Sequence, residues 1–148
     1  MTFSRKITCP FCGASDRIPA EQFSEDLVCA HCGRAMFAGK PLELDAARFG
    51  ELMAGEKPLL VDFWAAWCGP CKAMAPAFEQ ASRAMEDTVQ FAKLNTDDEQ
   101  QIAQEHGIRS IPTMILFRAG QEVARHSGAM SAGDIQSWVE NQLADAAA

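Results

Sequence analysis

The sequence contains no apolar run of about 18 residues, so it offers no segment able to cross a bilayer as a helix. Its opening residues, Met1 to Cys9, hold no apolar signal core, and the expectation is a chain that stays in the cytoplasm. Low-complexity segments are scarce, and hydrophobic residues make up 48% of the chain, which argues for a folded core. A basic excess is missing too: 13 Lys and Arg face 20 Asp and Glu. The deficit is uneven. Residues 1–40 hold five basic groups and four acids, leaving eight against sixteen in residues 41–148, a net charge of −8 there. That balance disfavours nucleic acid as a partner of the larger part. The small segment is closer to neutral, with Phe11 and Phe37 as its candidate stacking groups. Nor does any histidine stand ready for nucleophile–histidine pairing. His31 falls between two cysteines and is read as facing outward, and His106 and His126 sit near turns as solvated residues.

What the chain does have is cysteine in pairs. Cys9-Pro10-Phe11-Cys12-Gly13 and Cys29-Ala30-His31-Cys32-Gly33 lie sixteen residues apart, inside the spacing of a four-thiolate zinc site. Each pair runs into a glycine, which tolerates the left-handed backbone that aims N–H groups at the sulfurs. Between the pairs, Ile18, Phe23, Leu27 and Val28 are too few to make a core alone. One structural Zn2+ held by Cys9, Cys12, Cys29 and Cys32 would supply the missing stability. Two redox-active pairs, or idle thiols, form the alternative.

The third pair reads differently. Trp67-Cys68-Gly69-Pro70-Cys71 follows the apolar run Leu59 to Trp64 and precedes Lys72 to Met85, a stretch with few helix breakers. A buried strand, a sharp turn and a helix start place two thiols in a first helical turn. Unpaired N–H groups and the helix dipole there favour the thiolate, the form that attacks disulfides. Pro70 suits a position where no backbone donor is needed. Half a metal site is the competing reading, but Lys72 rather than glycine follows Cys71, and no fourth pair remains to complete it. Metal on the first four cysteines and redox chemistry on the last two is the economical division, and it suits a reducing compartment.

Lys40-Pro41 separates a module over residues 1–40 from a domain over 41–148. In the domain, Leu42-Glu43-Leu44 reads as an edge strand, and Asp45 caps a helix over Ala46 to Ala54. Pro58 opens the strand Leu59 to Trp64, whose near-continuous apolar character suits burial on both faces. Asp62 is the exception: a carboxylate there is costly unless neutral or in use, and burial would raise its pKa toward proton transfer. Met74, Phe78, Ala81 and Met85 form a helical core stripe bent by Pro76. Val89 to Leu94 is a strand with Lys93 reaching toward Asp62, and Asp97-Asp98-Glu99 caps the next helix, which ends near Gly107. Ile111-Pro112 is a candidate cis bond before the strand Met114 to Phe117. Ala119-Gly120 turns into Gln121 to His126, the single antiparallel hairpin signal. Ser127-Gly128-Ala129 turns again, and the last helix, Ala132 to Leu143, buries Ile135, Trp138, Val139 and Leu143.

Residues 42–145 resemble the thioredoxin family. The likeness rests on Asp62-Phe63-Trp64-Ala65 leading into Trp67-Cys68-Gly69-Pro70-Cys71, and on Pro76, Lys93, Ile111-Pro112-Thr113 and Gly128. With the cysteine-rich N-terminus, the whole resembles the bacterial thioredoxin 2 type, which carries a zinc ribbon. The resemblance implies an α/β fold, a central mixed sheet flanked by helices, and protein-disulfide reductase activity. It implies Cys68 as nucleophile, Cys71 as resolving thiol, Asp62 as its proton shuttle and Lys93 as the group tuning Asp62. It also implies a flat substrate groove built from Trp67, Gly69, Pro70, Ile111, Pro112, Gly128 and Ala129. The partners implied are disulfide-containing client proteins and an NADPH-dependent thioredoxin reductase. A module held near that groove would alter client access. The rival reading is a redox-sensing binding or holdase module, with the thioredoxin domain mainly a scaffold.

Overall fold

The computed structural model describes residues 4–9, 11–22, 27–34 and 40–147. Two short strands come first, β1 (Ser4–Thr8) and β2 (Ser15–Pro19), paired antiparallel with Ser4 opposite Pro19. A five-stranded sheet follows, from β3 (Leu42–Glu43), β4 (Leu59–Trp64), β5 (Gln90–Asn95), β6 (Thr113–Arg118) and β7 (Gln121–Ser127). The helices α1 (Ala46–Met53), α2 (Gly69–Met85), α3 (Gln100–Glu105) and α4 (Ala132–Ala147) cover it. The strand order is β3-β5-β4-β6-β7, with β4 parallel to β5 and antiparallel to β6, so the sheet is mixed as expected.

β4 takes the centre because it is apolar on both faces. Alternation sends Leu59, Val61 and Phe63 to one side, against Phe49 and Leu52 of α1 and Ile102 of α3. Leu60 points to the other side, against Met74 and Phe78 of α2 and Ile135 and Val139 of α4. Full burial of one such side chain contributes roughly 1.5–3 kcal/mol, so this strand anchors both layers. By the same alternation Asp62 shares Leu60's face, the one that α2 covers, and it is completely buried. At the start of α1 the Asp45 carboxylate accepts the Arg48 N–H at 2.9 Å, the cap the sequence announces.

Several elements depart from the sequence reading. The edge strand stops at Glu43, and Leu44 turns into the core instead. α4 continues past Leu143 to Ala147, as a run of strong helix formers allows. The β1–β2 hairpin has no alternation to announce it: among the described side chains of β1 only Ile7 is buried, and the cysteine turn closes the pair. Ile18 and Leu27 pack around Ile7, Cys9 and Cys29, whereas Val28 is 55% exposed and adds nothing to that small core. Phe23 and Phe37 lie outside the described residues.

The N-terminal module meets the larger part through polar contacts beside α1. Arg48 Nε donates to the Phe11 carbonyl at 3.3 Å, and the Lys6 N–H donates to Glu56 at 3.3 Å. Arg17 pairs with Glu56 at 3.5 Å, and Gly13 sits so close to Arg48 and Glu51 that a Cβ there would overlap them. Among the described residues, none from 1–40 enters either apolar layer of the five-stranded sheet. Exposed contacts of this kind are worth about 0–1 kcal/mol each. A chain starting at residue 41 is therefore expected to fold alone, with dispersed amide resonances and a cooperative melt. A fragment lacking both would show that the module completes the core.

Candidate active site and metal centre

β4 ends at Trp64, and a turn of four residues reaches α2. Cys68 is the N-cap of α2, in extended backbone, and its sulfur accepts the Cys71 N–H at 3.2 Å. The sulfur therefore sits at the positive end of a 17-residue helix, where the dipole and a backbone donor both favour a thiolate. Cys68 and Cys71 are joined as a disulfide, with Cα atoms 5.3 Å apart. Both are buried, and the Cys68 sulfur lies 3.8 Å from the Ile111 carbonyl oxygen. The Ile111-Pro112 bond is cis, as the sequence suggests. Gly128 donates its N–H to the Pro112 carbonyl at 2.8 Å and has φ +105°, a backbone that side chains resist. Sheet ends thus bring Cys68, Ile111, Pro112 and the Gly128-Ala129 turn together.

Gly69 and Pro70 are exposed on the first turn of α2, and Trp67 is 71% exposed above the pair. The Trp67 indole N–H donates to Asp97 Oδ2 at 3.1 Å. The sequence reading assigns Asp97 to capping and solvation of the next helix start, whereas its carboxylate is engaged by Trp67. In the turn before α3, Asn95 Oδ1 accepts the N–H groups of Asp97 at 2.9 Å and Asp98 at 3.4 Å, while Glu99, the N-cap of α3, makes no side-chain cap bond. An Asx turn directly after a strand was the available signal. Beside Cys68 opens a cavity of about 530 Å³, walled by Trp67, Pro70, Ile111 and, from the α3 side, Ala103, Ile108 and Arg109.

Asp62 and Lys93 are neighbours in register across β4 and β5. Neither Asp62 oxygen has a hydrogen-bond partner among the described residues. Burial pushes its pKa from the ordinary 3.8 up to about 7, with Lys93 pulling the other way. The Lys93 ammonium rests over the Trp64 ring, 4.3 Å from its centre, a cation–π contact that steadies it there. The two histidines near turns are not simply solvated. His106 is half-buried, its ring 5.3 Å from Phe49 and 5.4 Å from Phe117, and His126 lies 6.2 Å from Trp138. Their isolation in sequence hid these rings, which come from distant elements.

The other four cysteines gather with their sulfurs all within 4.8 Å of one another. Cys9 and Cys32 approach to 3.7 Å, as do Cys12 and Cys29. Sulfurs bound tetrahedrally at about 2.3 Å from a zinc ion would stand about 3.8 Å apart, so the set fits such an ion. The two turns are near copies. The N–H groups of Phe11 and His31 each reach a sulfur at 3.4 Å, and Gly13 (φ +79°) and Gly33 (φ +76°) close the turns. The expected glycine conformation is present, though the donors to sulfur lie two residues earlier. His31 faces outward, with Nε2 3.0 Å from Asp16, and takes no part in the cluster.

Residues 40–141 match the family model described as Thioredoxin. The chain belongs to the thioredoxin family. It is 38% identical over 138 residues to Thioredoxin C-3 of Corynebacterium nephridii, covering 93% of this chain and 94% of the relative. An alignment of that length must run well into residues 1–40. It is 45% identical to the thioredoxin of Alicyclobacillus acidocaldarius, over 70% of this chain and 95% of the relative. A solved thioredoxin of Malassezia sympodialis superposes with TM-score 0.63 at 37% identity, covering 69% of this chain and 93% of that one.

Asp62 yields a prediction with a definite sign. Below about pH 4 the carboxyl is protonated in both folded and unfolded chains and costs nothing. Between about pH 4 and pH 7 the folded chain keeps a proton that the unfolded chain releases, so stability falls as pH rises through that window. Asp62→Asn removes the penalty, and at pH 8 the variant is expected to be more stable by about 1–4 kcal/mol. The gain should vanish below about pH 4. Denaturant titrations at both pH values measure it, and a variant weaker than the parent at pH 8 would mean that Asp62 is paired, not merely buried.

Proposed function

We propose that this chain is a protein-disulfide reductase that exchanges electrons through Cys68 and Cys71. The observation that carries the reading is a cysteine pair closed as a disulfide at the N-terminus of α2, beneath an exposed Trp67. In the reduced state the Cys68 thiolate attacks one sulfur of a client disulfide and the other client sulfur leaves as a thiolate. Cys71 then attacks the Cys68 sulfur, frees the second client thiol and restores the Cys68–Cys71 disulfide. Two electrons pass from the dithiol to the client in each turnover. The buried carboxylate of Asp62, on the face that α2 covers, takes the proton from the Cys71 thiol, and a pKa of about 7 suits that exchange near neutrality. Lys93 opposes the burial effect and keeps Asp62 within range. Client backbone docks along Trp67, Gly69, Pro70 and the Ile111-Pro112 turn, beside Gly128-Ala129.

Return to the dithiol needs two electrons from a reductase, taken here as NADPH-dependent. A relative whose name joins thioredoxin reductase to thioredoxin, from Mycobacterium leprae, supports such a partner. Cys9, Cys12, Cys29 and Cys32 hold one zinc ion in a ribbon spanning residues 1–40, which makes the chain the thioredoxin 2 type. The sulfur spacings support this, and so does an alignment reaching into that segment. The bound ion ties two turns that share only a small apolar cluster. Thiol chemistry of this kind fits a reducing cytoplasm, and no helix among the described residues is long and apolar enough to cross a membrane.

Cys68→Ser is expected to abolish insulin reduction, whereas Cys71→Ser should accumulate mixed disulfides with clients, visible on non-reducing gels. Equal trapping by the two variants would overturn the assignment of attacker and resolver. For the ribbon, the purified chain should contain one equivalent of zinc. A chelator should remove it more readily as pH falls, because the thiolates must be deprotonated to bind. Metal content and free thiols, counted on the same sample, test this; zinc-free protein with two further disulfides would defeat it.

A further inference from the structure

The groove foreseen from the sequence runs from Trp67 past Pro112 to the Gly128-Ala129 turn, toward β7. The hollow beside Cys68 opens the other way, toward β5 and α3, and neither Gly128 nor Ala129 lines it. We propose that this hollow is a specificity pocket, which seats an apolar side chain of the client and pairs Arg109 with an acidic residue next to it. The inference rests on the disulfide-reductase reading, because it concerns clients whose sulfur has reached Cys68.

Three observations carry it. Cys68 itself lines the cavity, so a chain presenting a disulfide to that sulfur passes its mouth. The walls from Trp67, Pro70, Ala103, Ile108 and Ile111 are apolar, and about 530 Å³ is room for a large aliphatic or aromatic side chain. Arg109 is the one charged side chain among the lining residues. It is exposed, and its guanidinium takes part in none of the ion pairs of the described residues, so it is not committed to holding the fold. The nearby acid Asp97, which accepts from Trp67, does not line the hollow. A planar, five-donor guanidinium at the rim of an apolar pocket suits a carboxylate.

The charge of the whole chain makes the claim sharp. With a net charge of −7, its general field favours basic clients over acidic ones. A local preference for acid would run against that field and must come from a particular cation.

The test uses short peptides joined by one disulfide, with Leu beside the reactive cysteine and either Glu or Lys next to it, placed on the N-terminal or the C-terminal side. Values of kcat/KM are compared as Glu-to-Lys ratios within each protein, so a general loss of activity cancels. The parent is expected to favour Glu about 3–10-fold in one of the two placements, less at high salt. Arg109→Glu should invert the ratio, and Arg109→Lys should retain part of it. A parent that favours Lys in both placements, or a Glu preference that survives in Arg109→Glu, overturns the pocket. If the parent reduces none of the peptides, the reductase reading has failed instead.

Discussion

Burial of β4 on both faces is the constraint on which the site depends. Leu59, Val61 and Phe63 are locked into one apolar layer and Leu60 into the other, so the strand can neither slide nor turn over. A shift of one residue would exchange the two faces. Its fixed register sets where Trp64 ends, and from there only a short turn leads to Cys68. The placement of a reactive sulfur at a helix N-terminus is thus inherited from packing several residues upstream. The flanking strands act likewise. β6 delivers Pro112 and β5 delivers Lys93, both by pairing with β4.

The same burial creates the tension at Asp62. An apolar residue there would be more stable, and the strand keeps a carboxyl with no hydrogen-bond partner among the described residues. The chain thus carries a pH-dependent loss of stability at this carboxyl, whose pKa burial raises to about 7. Lys93 limits the loss without removing it, held above Trp64 rather than free to swing into solvent.

The sequence made the larger domain legible because its signals are local. A continuous apolar run, a helix stripe at Met74 and Phe78, and a proline before a strand each depend on a few neighbouring residues, and each falls where it was read. The four-cysteine cluster was legible for the same reason, since spacing alone constrains it. What escaped depends on distant residues meeting. His106 packs among Phe49, Phe63 and Phe117, which come from a helix and two strands, and Asp97 meets Trp67 across thirty residues. The cavity toward α3 is a product of three such segments. No periodicity in any one of them marks it.

The four-cysteine segment shows how far spacing can be taken. Its internal geometry follows from the cysteines, but its location follows from Arg48, Glu51 and Glu56, which carry no motif. The contacts of residues 1–40 lie beside α1 and the turn before β4. Among the described residues, none from 1–40 lines the hollow beside Cys68. Any influence on the dithiol of a metal held by the four cysteines would pass through α1 or through the turn that carries Glu56 into β4, and the Phe49 ring of α1 sits 6.5 Å from Phe63 of β4. Phe63 is the neighbour of Asp62 in the chain but faces the opposite layer. A disturbance reaching it would press on the strand from the side away from Cys71. The rigidity of a strand packed on both faces works against such transmission.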